Sequence, residues 1–561
     1  MSPLGLFLHI LQVSPYSCAV QGKTDTYRLS PQASRVFIGL MLGMFVASVS
    51  QTIVGPAMPL IVAELGGMAH YSWVATAAML VSAITVPIVG KLSDLFGRRG
   101  FYIGGLVVFM AGSTLAGFAP NFWTLVVARA IQGFGMGTLM PLSQTIIGDI
   151  IPPRQRGKYQ GMMGAVFGVT SVAGPLAGGV ITDHWGWRWL FFAAVPIGIV
   201  ATIVIARFLK LPHEQREAQI DVRGIVTLTI TLTTTLLATS WGGTTYPWGS
   251  STIIGLYAVG AVALVAFIFA ERRAVEPVLP LRLFRSSLFT ASNIASFGIA
   301  MVMFGSIIYI PVYAQGVLGA DATNSGLILA PLMLGLIVMG MVTGLLITKT
   351  GRYKIFMLIG VLIMGAGMGL LTQMTWQSSQ ADLTIAMVVL GLGLGMAMQQ
   401  YTLVIQNAAE RRDLGVATAS SQFFRNVGST VGIAIFGTVM TTGLGAAIAS
   451  HLPPGAAGSA AASADVGSVL DPAALAGMPP AIVDAVRQGL AERLHDVFLL
   501  GLPIIAVVFL ATLAIKVLPL RETLHAEEET TVEELGHELL DSMSMSAPEP
   551  PAADTSAPGR A

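Results

Sequence analysis

Long apolar stretches separated by short polar joints run along almost the whole chain. Runs long enough to cross a bilayer fall near 36–62, 71–92, 101–119, 122–148, 160–182, 188–209, 224–242, 252–270, 289–316, 323–348, 355–375, 384–406, 414–443 and 495–518. A helix needs roughly 20 apolar residues to cross about 30 Å of hydrocarbon, and these runs have that length. Barrel strands would instead show alternating segments of about 10 residues. The pattern predicts fourteen membrane helices, and an even number places both termini on one side.

The basic residues say which side. With the N-terminus inside, the inner segments carry Lys91, Arg98, Arg99, Arg154, Arg156, Lys158 and their later counterparts, 25 of the 30 Lys and Arg residues. The outer segments keep Arg188, Arg487 and Arg493, while Arg129 and Arg425 lie within spans. Such a bias puts both termini in the cytoplasm.

Composition agrees. Of 561 residues, 54% are hydrophobic and 11% charged, with a mean hydropathy of +0.74. Soluble domains carry about 25% charge, so this chain is an integral membrane protein of the all-α kind. Its lasting partner is the lipid bilayer, and no nucleic acid is expected; the net charge of +1 says little about partners, and where the charges sit says more. Cys18 is the single cysteine, which excludes an internal disulfide.

Three segments do not span. Residues 1–33 read as a cytoplasmic extension, with a short apolar run from Leu4 to Val13 and a poor lipidation context before Cys18. Residues 444–493 form a long outer loop rich in Ala, Gly, Ser and Pro, with a short helix around Pro480 to Arg493. The tail, 521–561, is acidic and then Pro/Ala-rich, and reads as disordered apart from a candidate helix near Val532 to Leu540.

The most informative joint is Gly90-Lys91-Leu92-Ser93-Asp94-Leu95-Phe96-Gly97-Arg98-Arg99. Gly90 and Gly97 permit close approach and a tight turn. Asp94 can accept from Arg98 or Arg99, or face the N-terminus of a helix in the other half, where an anion is favoured. A weaker copy, Gly344-Leu345-Leu346-Ile347-Thr348-Lys349-Thr350-Gly351-Arg352, keeps the spacing but has Thr348 in place of the aspartate. Two copies imply two related helical halves: 34–210 and 286–520, joined by a linker, 211–285, that holds two extra spans.

This joint resembles the signature loop between helices 2 and 3 of the major facilitator superfamily. Three further segments strengthen the resemblance. Arg129-Ala130-Ile131-Gln132-Gly133 is similar to the superfamily's R-x-x-Q-G motif, whose arginine is implicated in proton coupling. An arginine inside a membrane helix is costly and normally faces a cavity or a partner. Gly164, Gly168, Gly174, Pro175, Gly178 and Gly179 resemble the antiporter motif of superfamily exporters; in physical terms they make a small-residue packing face with a kink. Trp185-Gly186-Trp187-Arg188-Trp189 makes an outer aromatic belt. With Phe423-Phe424-Arg425-Asn426, it resembles the fourteen-helix drug:proton antiporter family of multidrug efflux transporters. The resemblance covers roughly 36–520 and implies two six-helix bundles with two extra central helices.

One departure matters. First spans of that family carry an aspartate where this chain has Ser50 in Val49-Ser50-Gln51-Thr52. Candidates for proton coupling are therefore Arg129, Asp94 and Asp149, with Asp496 a further acid near a helix end. Gly90, Asp94, Gly97, Arg98, Arg99, Asp149 and Arg425 are expected to form a conformational latch on the cytoplasmic face. Gln51, Gln132, Asn293, Gln399, Gln400 and Gln406 are candidates for a substrate cavity, with Met301, Met303, Met333 and Met339 as an adaptable apolar lining. Such a cavity favours neutral or weakly charged compounds over dications.

No enzyme signature is present: there is no P-loop, no paired histidines at metal spacing and no nucleophile elbow. No cofactor or metal is expected, and the energy for transport would come from an ion gradient. The expectation is a multi-pass exporter of small hydrophobic molecules or drugs in the inner (plasma) membrane. It would act as a monomer, by proton antiport and alternating access. Two alternatives stand: a lipid or envelope-component exporter of the same fold, using loop 444–493, and a non-transporting sensor, suggested by Ser50.

Overall fold

The computed structural model describes residues 29–65, 73–210, 219–243, 245–319, 328–452 and 479–521. The expectations for Leu4–Val13, Cys18, the middle of the outer loop and the tail helix lie outside those residues. Among the described residues, fourteen helices are long and apolar enough to cross a membrane. The helical architecture read from the sequence is borne out.

The first half holds α1 (Pro31–Thr52), α2 (Met58–Leu65), α3 (Trp73–Phe96), α4 (Arg98–Gly117), α5 (Phe122–Ile150), α6 (Pro153–Trp185), α7 (Arg188–Phe192) and α8 (Ala194–Phe208). Two extra spans follow, α9 (Val222–Trp241) and α10 (Ser251–Arg273). The second half holds α11 (Ser287–Gly316), α12 (Ala330–Thr350), α13 (Tyr353–Thr372), α14 (Gln380–Ala408), α15 (Leu414–Thr441), α16 (Leu444–Ser450) and α17 (Pro480–Ala514). The run read as 36–62 is broken at Gly55-Pro56, where a 3₁₀ turn separates α1 from α2. The stretch Pro480–Arg493 is not a separate helix but the outer end of α17.

Polar residues start many of these helices. Side chains of Ser30, Asn121, Asp221, Ser250 and Ser286 each accept the N–H three residues on, satisfying donors that an apolar start would leave bare. Ser379 and Asp382 form a reciprocal capping box at α14. Gly97 and Gly351, at equivalent places in the two copies of the joint, have φ of 92° and 69°. Only glycine adopts those angles without strain.

Glycine also sets how closely the spans pack. A methyl on Gly137 would meet the backbone of Ser82, and one on Gly395 the backbone of Leu336. Between lipid-solvated helices such close approach replaces the hydrophobic drive available in water. The second half has a methionine-rich core that includes Met303, Met333, Met364 and Met368. Met303 and Met333 are buried within the packing of that half. The extra pair α9–α10 rests against both halves, with Leu228, Leu232 and Phe267 clustering with Ala83 and Val86 of α3 and with Ala419 and Phe423 of α15.

Candidate transport site and cytoplasmic latch

Asp94 closes the end of α3 and reaches across to the first turn of α15. Its carboxylate accepts the backbone N–H of Gly415 at 3.1 Å and of Val416 at 2.9 Å. These are donors that a helix start leaves without an internal partner. Arg98 binds the same carboxylate at 3.0 Å and reaches Asp149 of α5 at 2.5 Å. Four elements thus meet on one guanidinium and two carboxylates. Neighbouring glycines make room: Gly90 lies against Ala419 and Gly415, and a methyl on Gly415 would collide with the Asp94 carboxylate.

Two expected members of the latch are elsewhere. Arg99 donates to the carbonyl of Ala206 near the end of α8, 2.5 Å away, so it ties down its own half. Arg425 lies ten residues beyond Gly415 on α15, about 15 Å along the axis, and donates to Gln422 on its own helix. That separation follows once Asp94 is seen to meet Gly415 and Val416, a contact the sequence did not show. In the second copy of the joint, Thr348 hydrogen-bonds back to Gly344 of its own helix. The Lys354 ammonium caps α17 through the carbonyls of Leu513 and Ile515.

Next to the Asp94 cluster, α6 packs on the second half through small residues. A methyl on Gly157 would lie 3.0 Å from the carbonyl oxygen of Gly344, and one on Gly161 2.6 Å from that of Gly340. Gly164 faces Gln399 and Gly168 faces Ile337, both in the second half. Further out, Gly174 and Gly178 turn instead to Thr52 at the end of α1 and Ile53 just after it, and Gly179 meets nothing within 4 Å. Pro175 sits within α6 between those two regimes. Gln406 of α14 donates to the carbonyl of Gln144 at 3.0 Å and accepts from Gln160 at 3.3 Å. These contacts between halves gather towards the end of the molecule that holds Asp94.

Arg129 is 3% exposed and Gln132 is wholly buried, so this arginine does not reach for the membrane surface. Its Nε donates to the carbonyl of Val74 at 3.2 Å, and Nη1 reaches Ser50 and Gln132. Gln132 in turn donates to Ser113 at 2.7 Å. The cluster ties α1, α3, α4 and α5 together, with neutral groups around the cation. Of the other cavity candidates, Gln51 is half-buried. Gln399 and Gln406 stand at the seam between halves, and Gln400 and Asn293 are buried in the second half. The structure does not gather the six into one group.

Sequence reasoning missed a second polar tie. Lys91 pairs with Glu276, just after α10. Glu271 accepts the N–H groups of Val278 and Leu279, both at 3.1 Å. Arg282 binds Asp413, at the start of α15, at 2.7 Å. The joint between α10 and α11 therefore touches α3 of one half and α15 of the other. Its signal was the acidic pair Glu271 and Glu276 beside the basic run, which looked merely topogenic. At the outer end Trp187 is buried, unlike Trp185 and Trp189, and donates to Glu64 at 2.7 Å. Glu64 also binds Arg188 at 2.5 Å. Those bonds, first that from Arg188 and then that from Trp187, hold the Glu64 carboxyl below the usual carboxylate range.

Known proteins place this architecture. Residues 40–433 match the family model of the Major Facilitator Superfamily. The multidrug transporter protein MdtP of Bacillus subtilis (strain 168) is 39% identical over 498 residues, spanning 85% of this chain and 92% of that protein. The same organism's multidrug resistance protein 3 is 37% identical over 477 residues, 84% and 93% of the two chains. Two solved structures share the fold at low identity. The human organic anion transporter MFSD10 has a TM-score of 0.57 at 14% identity, covering 85% of this chain and all of that one. The proton:xylose symporter XylE has a TM-score of 0.52 at 15% identity, covering 73% and 89%. This multi-pass membrane protein is a transporter, not an enzyme, and belongs to the Major Facilitator Superfamily.

Proposed function

We propose that the chain is a secondary exporter of small hydrophobic molecules, drugs among them. It would sit in the plasma membrane and work by alternating access between its two halves. The observation that carries the mechanism is the union of α3 and α15 through Asp94, Gly415, Val416 and Arg98. Every bond in it is polar and reversible, and it holds the cytoplasmic ends of the halves together. Releasing it would open the transport path to the cytoplasm. The direction of transport is supported by relatives whose names describe multidrug transporters and efflux pumps.

Proton antiport is the coupling we propose. Asp94, Asp149 and Arg98 lie where a change of protonation would loosen the latch, and Arg129 holds Ser50 and Gln132 further out. The test is transport of a fluorescent drug in proteoliposomes under an imposed pH gradient. Accumulation that follows the gradient and collapses with an ionophore is the expected result. No movement under any gradient would sink the exporter reading, and movement with the gradient absent would sink the coupling.

A further inference from the structure

The spans hold their acidic residues at their ends. Asp94, Asp149 and Glu271 stand at the cytoplasmic face, and Glu64, Asp183 and Asp382 at the outer face. Asp496 belongs with the outer group, since its neighbour His495 meets the carbonyl of Thr372 at the outer end of α13. Between these two layers, among the described residues, the charged side chains are Arg129 and Arg425. Neither meets a carboxylate.

Arg425 is the better placed to hold a ligand. On α15 it shares a face with Thr418, Gln422 and Ser429, at helical spacing. Thr418 accepts from Gln406 at 3.2 Å, and Gln406 is the residue that bridges α14 to Gln144 and Gln160 of the first half. The Arg425 side chain therefore stands two turns outward of the seam where the halves meet. It is half-buried. Its Nη2 donates to Gln422, whose amide nitrogen donates on to Asn426 at 3.1 Å. That chain orients the guanidinium from behind, while its Nε and Nη1 bond to no described residue. A half-buried cation with donors to spare is stabilised by an arriving anion more than by a neutral group. Arg129, buried among Ser50, Gln132 and the Val74 carbonyl, adds a second uncompensated positive charge further out.

We propose that Arg425 is an anion-binding residue of the transport path, and that the preferred substrates are amphiphilic organic monoanions: an apolar body carrying one carboxylate or sulfonate. The proposal rests on the exporter reading and narrows its substrate class. Apolar spans would solvate the body, and the fork of Arg425 would bind the acid group.

The test is equilibrium binding to the full chain in lipid nanodiscs, with empty nanodiscs subtracted. The probes are dansylaminoundecanoic acid and its primary amide, which share one body and differ in charge. The acid should bind at least about tenfold more tightly than the amide. Arg425→Gln should remove that preference and leave amide affinity within about twofold, while Arg425→Lys, which keeps the charge, should retain most of it. Monodisperse gel filtration and an unchanged amide affinity show that the Gln variant is folded. Should that variant not fold, the Lys variant and the wild-type acid-to-amide ratio decide. Equal affinity for acid and amide, binding of neither probe, or a preference that survives Arg425→Gln would overturn the proposal. None of those outcomes touches drug movement in proteoliposomes, on which the exporter reading stands or falls separately.

Discussion

The carboxylate of Asp94 accepts the backbone N–H of Val416 at 2.9 Å, although the two residues are 322 positions apart. A side chain from one half thus caps a helix of the other. The bond combines three favourable terms: an unpaired N–H at a helix start, the positive end of its dipole, and shielding from water by the neighbouring glycines. Each weakens when the helix start moves away, so the contact is one that a rigid-body motion can make and break.

Replacing Asp94 by Asn keeps the shape and removes the charge that Arg98 and α15 both use. Transport should fall about tenfold or more, since hydrogen bonds to charged groups contribute roughly 1.5–3 kcal/mol. Drug binding to the purified protein should change by less than about threefold. Gly415→Ala, whose methyl would collide with the same carboxylate, should reproduce the defect without altering any charge. Equal loss of binding in both variants would show that Asp94 belongs to the substrate site and not to a latch.

How much of this was legible beforehand differs by kind. The fourteen spans followed from the apolar runs, because membrane insertion reads the same local property. Asp94 facing a helix start could be foreseen from chemistry alone. Arg425 could not be placed, since an apolar helix carries no mark of which neighbour each face meets. The pairing of Lys91 with Glu276, 185 residues away, was hidden for the same reason. Trp187 looked like its exposed neighbours Trp185 and Trp189 until Glu64 was found beneath it.

The Lys91–Glu276 pair ties the segment that follows the extra helices to the inner part of α3. Lys91 is buried while the Glu276 side chain is 39% exposed, so screening limits its contribution to about 1 kcal/mol or less. Lys91→Glu or Glu276→Lys alone should slow transport by no more than about fivefold, and the double reversal should recover at least half of the loss. A double-mutant cycle on initial transport rates measures this. Strict additivity of the two single effects would mean that the pair is not coupled to the cycle.

Positions along α6 separate close packing from open space. A methyl on Gly161 would sit 2.6 Å from the Gly340 carbonyl oxygen, whereas one on Gly179 meets nothing within 4 Å. Gly161→Val should destabilise the closed arrangement by about 1–3 kcal/mol, as overpacking commonly does. Gly179→Ala should leave transport and melting temperature unchanged. Thermal unfolding in detergent, followed by initial-rate transport, reads both. A Gly179 variant as impaired as the Gly161 variant would indicate a role for the motif beyond packing.

Glu64 offers a pH handle at the outer end. Arg188 and Trp187 hold its carboxyl below the ordinary value of 4.5. A depressed folded-state value means the contribution is complete above the unfolded value and is lost as pH falls through the folded one. Glu64→Gln should therefore lower the melting temperature slightly at pH 7, and the gap to the parent should close as the buffer is taken well below 4.5. A gap that is constant from neutral to strongly acidic buffer would assign the effect to shape and not to charge.

Ser50 stands 3.4 Å from the Arg129 guanidinium through its hydroxyl, close enough for a carboxylate to take its place. Arg129 is now a buried cation bonded to carbonyls, a hydroxyl and an amide. Such partners satisfy donors without neutralising charge, and part of the cost of removing the cation from water is left standing. Ser50→Asp would supply a counter-ion on the neighbouring helix and should stabilise the protein by roughly 1–3 kcal/mol at neutral pH. The same change adds a group that can take up a proton within the outer half of the path. Transport in the variant should then depend more steeply on the imposed pH gradient than in the parent. If Ser50→Asp instead destabilises the fold and its pH dependence matches the parent, the Arg129 pocket is closed to a carboxylate and its cation serves packing alone.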